Sequence, residues 1–454
     1  MDAGDIFPIL EAGSAEGDAR LADLSGRTGR LEDLASRAAR EKTLAVFGEP
    51  LGPREVVARI VKDVRERGDK AVCDLARRLD GVSIRPGDLR IPEAELDRAL
   101  EEAPEAFLGA ARFAAGNIRA YQQRLMPADV ALEETDGLRL GARWGPVESA
   151  ACYIPGGIAS YPSSVLMNAI PAQVAGVGRI VLAVPPGKEG AGNPLTLAAA
   201  ALVGCREVYR VGGAVAIAAL AFGTGTIRRV ECIVGPGNLF VMLAKREVFG
   251  AVGIDMFAGP SEVLVLADES ADPELAAADL LSQAEHDPMA SAILVTPSRG
   301  LAARVRQALV RQLALNPRRD VAAESLGHYG LALVVEDMDA GCAAANAIAP
   351  EHLELLCEDP EARSAKIRHA GAIFLGPWAP EPLGDYAAGP SHTLPTGGTA
   401  RFMSGLSPLS FMKRTSLIGA SREGFERALG AIDELARADG LPGHAASAGK
   451  RFGR

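Results

Sequence analysis

The sequence predicts an α/β protein built from two doubly wound modules, with a helical N-terminal arm and a helical C-terminal tail. From residue 152 onwards, short runs rich in β-branched residues alternate with alanine-rich stretches, which is typical of parallel strands joined by crossover helices. The chain has 454 residues, 48% of them hydrophobic, enough for more than one core. We therefore expect two incomplete Rossmann-like modules side by side, with ligands at the carboxyl ends of their strands.

The strand-like runs divide the chain between these two modules. In the first, strands are expected at 179–186, 207–211 and 230–235. In the second, they are expected at 262–267, 292–296, 332–336, 352–356 and 372–376. We expect residues 48–152, a helical lead-in, to join residues 262–406 in one α/β domain. Residues 153–261 are expected to form the other.

Both ends of the chain are expected to be peripheral. Residues 1–47 are polar and charged and predict a helical arm. Residues 407–454 predict a tail, in which a polar helix is followed by the Gly- and Ala-rich segment LPGHAASAGKRFGR. Such a segment cannot build its own core, so it is either mobile or docked on another surface. A histidine within it, His444, favours docking.

Composition excludes several classes of protein. The net charge is −10 and there is no basic run, so nucleic acid is not expected as a partner. The N-terminus lacks the pattern of a signal peptide, and nowhere do about 18 uncharged apolar residues run together. We expect a soluble cytoplasmic protein without a membrane partner. The six cysteines form no CxxC pair, which indicates buried thiols rather than disulfides or a thiolate metal site.

The segment SADPELAAADLLSQAEHDP at 270–288 predicts a helix with two candidate ligands at its end. Asp272 and Pro273 suit the helix start, and Asp287–Pro288 closes it. Gln283 and His286 lie three residues apart, on one face, where both can point at one ion. Alternatively, they are a surface glutamine and a histidine near the C-terminal end of the helix dipole.

Three further segments contain residues suited to chemistry or binding. Glu351 and His352 are adjacent, and a carboxylate beside an imidazole is a natural pair for proton transfer, although such neighbours also occur by chance. Asp385 and His392 lie in a long Gly- and Pro-rich stretch that is either a functional loop or a solvated turn. Glycine-rich segments at 153–164, 211–217, 235–240 and 257–263 suit close approach to a ligand or tight turns. No GxGxxG fingerprint is present.

Taken together, these segments resemble the histidinol dehydrogenase family from about residue 45 to about residue 447. The similar motifs include CYIPGG at 152–157, YPSSVLMNAIPA at 161–172, GPGN at 235–238 and IDMFAGPSE at 254–262. They continue with DLLSQAEHDP at 279–288, APEHLE at 349–354 and the stretch from Arg401–Phe402 to FMKRTS at 411–416. The number of matches in the same order makes coincidence implausible.

The resemblance implies a two-step oxidation of histidinol to histidine that uses zinc and NAD⁺. It implies that Gln283, His286, Asp385 and His444 bind zinc and also contact the substrate. It makes His352 the base for the alcohol and the hydrate, and Glu351 the residue that activates water. The further positions that it assigns to the substrate are Ser261, His392 and Asp439, with His352 and His444 again among them.

The resemblance also assigns the cofactor and the oligomer. Residues 153–261 become the NAD-binding domain, with contacts from Tyr153 and Asn238. Where the family usually has Gln and Glu, this chain has Val215 and Asp439. Val215 lacks a polar contact to NAD, and Asp439 reaches one methylene less far towards the substrate. The family forms an interlocked homodimer, so the tail of one subunit is expected to bring Asp439 and His444 to the other's zinc site.

Two other readings compete with this one. A related dehydrogenase of another polar alcohol shares most of these motifs, although the full set of imidazole-binding positions argues against it. A zinc hydrolase, or a metal-binding scaffold without activity, accounts for the metal ligands but leaves the glycine-rich turns unexplained. Formation of NADH on addition of histidinol separates the three.

Overall fold

Three β-sheets organise the part of the chain that the structure describes. This structure is a computed structural model, and it describes residues 6–25, 44, 46–156, 161–187, 190–257 and 259–453. A six-stranded sheet has the order β1-β11-β10-β9-β12-β13, and a five-stranded sheet has the order β6-β5-β4-β7-β8. Both are parallel throughout. A third, antiparallel sheet has the order β14-β3-β2.

The strands have the following bounds. They are β1 (Ile9–Glu11), β2 (Val130–Thr135), β3 (Leu138–Pro146), β4 (Ser149–Tyr153), β5 (Arg179–Val184), β6 (Glu207–Arg210), β7 (Cys232–Val234), β8 (Gly253–Ile254), β9 (Glu262–Ala267), β10 (Ser291–Thr296), β11 (Leu331–Val334), β12 (His352–Leu356), β13 (Ala372–Leu375) and β14 (Met412–Ala420).

The helices follow the same order. They are α1 (Ala15–Ser25), α2 (Pro53–Arg67), α3 (Asp69–Leu75), α4 (Glu93–Glu102), α5 (Glu105–Arg124), α6 (Pro162–Ala175), α7 (Pro194–Leu202), α8 (Gly213–Phe222), α9 (Leu239–Val248), α10 (Pro273–Ala284), α11 (Arg299–Leu315), α12 (Arg319–Tyr329), α13 (Met338–Ile348), α14 (Pro360–Ser364), α15 (Glu381–Tyr386), α16 (Arg422–Ala438) and α17 (Pro442–Gly449).

Each parallel sheet is buried on both faces. Ala151 and Tyr153 of β4 enter a core with α2, α3, α8 and α9, whereas Ala150 and Cys152 enter another with α4 to α7. The odd-numbered residues of β9 likewise face α10 to α12, and its even-numbered residues face α13. Because successive side chains point to opposite faces, strands covered on both sides are apolar at every position. These near-continuous apolar runs are what predicted the mixed α/β fold.

The packing differs from the expected division of the chain in two places. Within the expected N-terminal arm, β1 pairs with β11 and forms an edge of the six-stranded sheet, and Phe7 is fully buried. Residues 26–43 of the arm lie outside the described residues. Helices α2 to α5, expected to join the later module, pack instead on the five-stranded sheet, because their apolar stripes meet the cores on its two faces.

The antiparallel sheet anchors the C-terminal tail to its own chain. Strand β14 pairs with β3 continuously from Met412 opposite Pro146 to Ala420 opposite Leu138. Gly137 has a φ of 73°, and a Cβ at Gly424 would lie 2.3 Å from the Gly137 carbonyl oxygen, so α16 needs glycine for this close approach. The tail therefore has a strand ahead of the predicted polar helix, which is present as α16 (Arg422–Ala438).

No helix in the described part of the chain combines the length and the apolar character needed to cross a lipid bilayer.

Candidate active site

The candidate acid/base pair lies at the amino end of β12. A turn built on Ala349, with a φ of 54° that is unusual for a residue with a Cβ, connects α13 to Pro350 and the strand. A single residue on the neighbouring strand then holds both side chains. The backbone N–H of Glu262 donates to Glu351 Oε2 at 3.0 Å, and His352 Nδ1 lies 3.1 Å from the Glu262 carbonyl oxygen.

This arrangement fixes which imidazole nitrogen of His352 is available. A carbonyl oxygen only accepts, so Nδ1 carries the hydrogen and donates it to Glu262. Nε2 is buried without a hydrogen-bond partner, 3.7 Å from Asp385 Oδ1. His352 itself is 3% exposed and Glu351 6%. The pair therefore presents one unpartnered imidazole nitrogen in a buried environment.

Burial and charge shift the proton affinities of this pair. Burial raises the pKa of Glu351 to about 8, despite the opposing effect of His352. For His352, burial lowers the pKa, but the carboxyl groups of Glu351, Glu381 and Asp385 outweigh it and raise the pKa well above its usual value. A cation bound to Glu381 and Asp385 would cancel most of that effect, which links the proton on His352 to occupancy of the neighbouring site.

Three side chains beside His352 can hold a metal ion. Ligand atoms of His286, Glu381 and Asp385 all lie within 4.8 Å of one another. Gln283 adjoins them, with its Nε2 3.4 Å from His286 Nδ1. The buried Gln283 Oε1 and Glu381 Oε2 have no hydrogen-bond partner. Unpartnered buried oxygens next to an imidazole and a carboxylate form the mixed O/N set that suits zinc, so these residues fit the predicted metal.

Asp385 and His392 differ in their charge preference. Burial raises the pKa of Asp385, but the imidazoles of His352 and His392 outweigh it, and the pKa lies below its usual value. Burial lowers the pKa of His392, which favours the neutral ring. Its Nε2 lies 3.0 Å from Ser164 Oγ, at the start of α6, and its Nδ1 lies 3.2 Å from the Asp385 carbonyl oxygen. His392 thus connects the two parallel-sheet modules.

Two predicted site residues lie elsewhere in the isolated chain. Asp439 follows α16 and His444 lies on α17, and both are exposed. No described contact joins them to the cluster around His286. Ser261, by contrast, directly precedes Glu262 and is half-buried beside the acid/base pair. One chain therefore brings together Gln283, His286 and Asp385 with the acid/base pair and leaves the tail residues apart.

A group of buried carboxyl groups was missed in the sequence. Glu381 belongs to the cluster that can hold a metal ion, and Glu354 lies on β12, two residues after His352. Burial raises the pKa of Glu354 well above its usual value, and that of Asp279 on α10 as well. A signal was present in the spacing: Asp279 precedes Gln283 by four residues and Glu381 precedes Asp385 by four, which places each pair on one helical face.

The predicted cofactor residues lie at the carboxyl ends of the five-stranded sheet. Tyr153 ends β4, and its hydroxyl accepts the N–H of Gly213, at the start of α8, at 3.1 Å. Asn238 caps α9, since its Oδ1 accepts the N–H groups of Phe240 and Val241. Val215, in the first turn of α8, is 3% exposed and packs in the apolar core. Part of the glycine-rich segment 153–164 lies outside the described residues.

A buried ion pair braces the glycine turn before α9. Lys245 Nζ lies 2.6 Å from Asp255 Oδ1 and donates to the Gly235 carbonyl oxygen at 2.5 Å. The other oxygen of Asp255 accepts the Gly235 N–H at 2.7 Å. Gly235 has a φ of 112°, and a Cβ there would lie 2.2 Å from the Tyr153 carbonyl oxygen. The turn is therefore packed directly against the end of β4.

These features define an α/β enzyme with a buried acid/base pair, an adjoining cation site and a separate sheet whose helix starts suit an anionic cofactor. Comparison with known proteins identifies the family. The family model described as histidinol dehydrogenase matches residues 52–452, and the chain belongs to that family. The predicted enzyme class, a dehydrogenase, is thereby confirmed.

Individual relatives agree with this membership. The chain is 51% identical to the histidinol dehydrogenase of Parasynechococcus marenigrum over 87% of its own length and 90% of the relative's. It is 52% identical to that of Ruegeria pomeroyi over 88% and 92%. The crystal structure of histidinol dehydrogenase from Elizabethkingia anophelis superposes with a TM-score of 0.87 at 33% identity, covering 98% of each chain.

Proposed function

We propose that this protein oxidises histidinol to histidine in two successive NAD⁺-dependent steps at a zinc site. The observation that carries the proposal is the juxtaposition of the Glu351–His352 pair with the cluster of His286, Glu381 and Asp385. An alcohol oxidised to an acid needs a base for the hydroxyl proton, then a base for the water that attacks the aldehyde. Two adjacent buried groups of different chemistry meet both needs.

The metal-binding set would be Gln283, His286 and Asp385 of one chain, completed by His444 of the partner subunit. When bound, zinc would orient the amino alcohol and its imidazole, and NAD⁺ would accept the hydrides. The fit rests on the unpartnered Gln283 Oε1 and on the O/N character of the cluster. The substrate would also meet Ser261 and His392, and Asp439 of the partner subunit.

The protein's own residues divide the proton transfers. His352 Nε2, whose lone pair faces the pocket because Nδ1 is bonded to Glu262, takes the hydroxyl proton in the first step and the hydrate proton in the second. Glu351 is held through Oε2 and leaves Oε1 for water, which it deprotonates as the water attacks the aldehyde. Closure of the pocket keeps the aldehyde from bulk solvent between the steps.

The cofactor would bind at the carboxyl ends of the five-stranded sheet. The starts of α8 and α9 lie there, and the positive end of a helix dipole suits a pyrophosphate. Tyr153 and Asn238 fix these two helix starts and would contact the dinucleotide. Because NAD⁺ is a long molecule, its nicotinamide would be able to reach the acid/base pair on the other module.

One assay tests the core of this proposal. Purified protein is mixed with histidinol and NAD⁺, and NADH absorbance is followed before and after treatment with a chelator and after addition of zinc. We expect two NADH per histidinol, loss of activity with the chelator and recovery with zinc. Activity that survives complete removal of metal would overturn the zinc assignment, and one NADH per histidinol would overturn the two-step reaction.

The tail is proposed to act in trans. Asp439 and His444 are exposed in the single chain and apart from the cluster, so a second copy has to supply them if they belong to the site. Mixtures of inactive His286→Ala and inactive His444→Ala subunits, unfolded and refolded together, should regain about a quarter of wild-type activity. Half the dimers are then mixed, and each mixed dimer has one intact site.

The control for this experiment is each variant refolded alone, which should stay inactive. Zinc content should follow activity, because a mixed dimer has one complete ligand set. Heterodimers that are verified by mass and remain inactive would place His444 in the site of its own chain.

A further inference from the structure

Glu354 is a buried carboxyl group for which the acid/base chemistry has no use. It lies on β12 two residues after His352, so both side chains leave the same face of the strand. Its exposure is 1%. It does not belong to the cluster of His286, Glu381 and Asp385 that can hold the metal. A carboxyl group buried this deeply needs partners that compensate for its loss of water.

One oxygen of Glu354 holds the start of α15. Oε1 accepts the backbone N–H of Glu381 at 2.7 Å. Glu381 is the first residue of this helix, and Asp385 follows one turn later. The bond therefore fixes the end of the helix from which both carboxyl groups of the cluster project.

The other oxygen of Glu354 faces a second helix. Oε2 receives no N–H or O–H of an amide, amine or hydroxyl, and the carboxyl group of Asp279 on α10 lies within hydrogen-bonding reach. Asp279 lies one turn before Gln283, so this contact fixes the helix that carries Gln283 and His286.

We propose that Glu354 is the positioning residue of the metal site, because it holds the start of α15 and faces Asp279 on α10. The two helices do not pack extensively against each other, so the carboxyl groups of Glu354 and Asp279 form a link between the two halves of the ligand set. Glu354 and His352 lie on the same strand, so the residue that positions the metal ligands is fixed relative to the base. This inference rests on the proposed function, since it takes the cluster to bind zinc.

Substitution at position 354 separates this role from others. Glu354→Gln keeps an oxygen for the Glu381 N–H and offers a permanent N–H to Asp279, so both connections persist. Glu354→Leu has a similar volume and removes both. Partners of metal ligands typically contribute 10- to 100-fold to metal affinity. We expect Glu354→Leu to bind zinc at least 10-fold more weakly than wild type, and Glu354→Gln to stay within about threefold.

The measurement is made on the intact purified protein. Zinc affinity is determined by competition with a chromophoric chelator, and the rate of zinc loss to excess EDTA is followed separately. Leu333→Ala serves as the matched control, because Leu333 is fully buried on β11, which is separated from β12 by β10 and β9 in the same sheet. It should lower Tm without changing zinc affinity or the rate of zinc loss.

The outcomes divide cleanly. Wild-type zinc affinity in Glu354→Leu, or equal weakening in Leu333→Ala, overturns the positioning role and leaves the proposed function intact. A wild-type protein that binds no zinc overturns the metal assignment, and this inference with it. If Glu354→Leu does not fold, Asp279→Asn against Asp279→Leu tests the same connection from α10. Asn should preserve zinc binding and Leu should weaken it.

Discussion

The two parallel sheets have corresponding strand orders yet carry their candidate sites at opposite ends. In the five-stranded sheet, Tyr153 and Asn238 follow strands, where helices begin. In the six-stranded sheet, Glu351 and His352 precede or open β12, where helices such as α10 and α13 end. Helix starts favour anions and helix ends favour cations. The end of a sheet that carries a candidate site therefore matches the charge of the ligand proposed for it, a dinucleotide at one and a metal ion at the other.

The comparison shows where the general rule for such sheets is incomplete. The sequence predicts ligands at the carboxyl ends of both sheets. Tyr153 and Asn238 lie at that end of the five-stranded sheet, whereas Glu351 and His352 lie at the amino end of the six-stranded sheet. Strand order predicts where helices start and therefore where a ligand can meet their N-termini. It does not predict where side chains lie whose chemistry needs burial against a neighbouring strand. Substitutions in one module should then leave the function of the other unchanged.

The largest expected effect comes from Glu351→Gln. Loss of the water-activating base should reduce histidinal oxidation by roughly 10²–10⁴-fold, with a smaller effect on histidinol oxidation, because only the second step needs activated water. Each half-reaction is followed by feeding its own substrate and measuring NADH. Glu358→Gln, an exposed glutamate just after the same strand, is the control. Equal losses in the two half-reactions, or a changed affinity for NAD⁺, would contradict the division of labour.

A disruption of the other module should affect stability and the cofactor. Lys245→Met leaves Asp255 buried without its cation and releases the Gly235 turn. Loss of one partner of a buried ion pair costs about 3–5 kcal/mol, so Tm should fall by several degrees. The Michaelis constant for NAD⁺ should rise, while zinc affinity stays unchanged. Arg246→Met, at the exposed neighbour on the same helix, provides the comparison. Weakened zinc binding in Lys245→Met would show that the modules are coupled.

The pH dependence of stability tests whether the pKa of Glu351 is raised in the folded protein. The folded pKa of Glu351, about 8, lies above the value for an unfolded chain. Its protonated form is favoured by folding, so its contribution is complete below about pH 4.5 and is lost as the pH rises through 8. In metal-free protein, Glu351→Gln should thus gain Tm over wild type by a few degrees between pH 5 and pH 9. A difference that is constant over this range would refute the raised pKa.

The smallest effect concerns Val215. The sequence predicts that Val215→Gln restores a hydrogen bond to NAD⁺ and lowers its Michaelis constant several-fold, or about 1 kcal/mol. The burial of Val215 in the apolar core adds a second expectation: without NAD⁺ the amide is poorly partnered, so Tm should fall. Val215→Leu controls for volume and should leave the Michaelis constant unchanged. An unchanged constant in Val215→Gln as well would mean that the pocket already compensates.

The features that sequence predicted well share a physical basis. Strands such as β9 and β12 are buried on both faces, so their composition alone marks them. The acid/base pair and the pair on α10 are local in sequence, and local spacing carries directly into geometry. The mixed α/β class and the dehydrogenase family follow from these signals.

The features that sequence missed depend on long-range contacts. Strand β14 is largely exposed and lacks a regular alternation of apolar and polar residues, so only its pairing with β3 makes it a strand. Glu262 contacts Glu351 and His352 through its backbone N–H and carbonyl groups, which do not depend on the side chain at this position. Glu354 and Asp279 are 75 positions apart, and nothing local marks them as neighbours. The contacts made by Glu262, Glu354 and Asp279 can therefore be recognised only in the tertiary structure.

The pairing of β14 with β3 has a consequence for synthesis of the chain. Met412 meets Pro146, so β3 leaves the ribosome long before its partner exists. At about 5–20 residues per second, translation of the roughly 270 intervening residues takes about 15–55 s. During that time the apolar Leu138 and Leu140 lie on an open strand edge, a surface that nascent chains can misuse for aggregation. The segment bearing His444 follows β14 in the chain, so it is synthesised only after this delay.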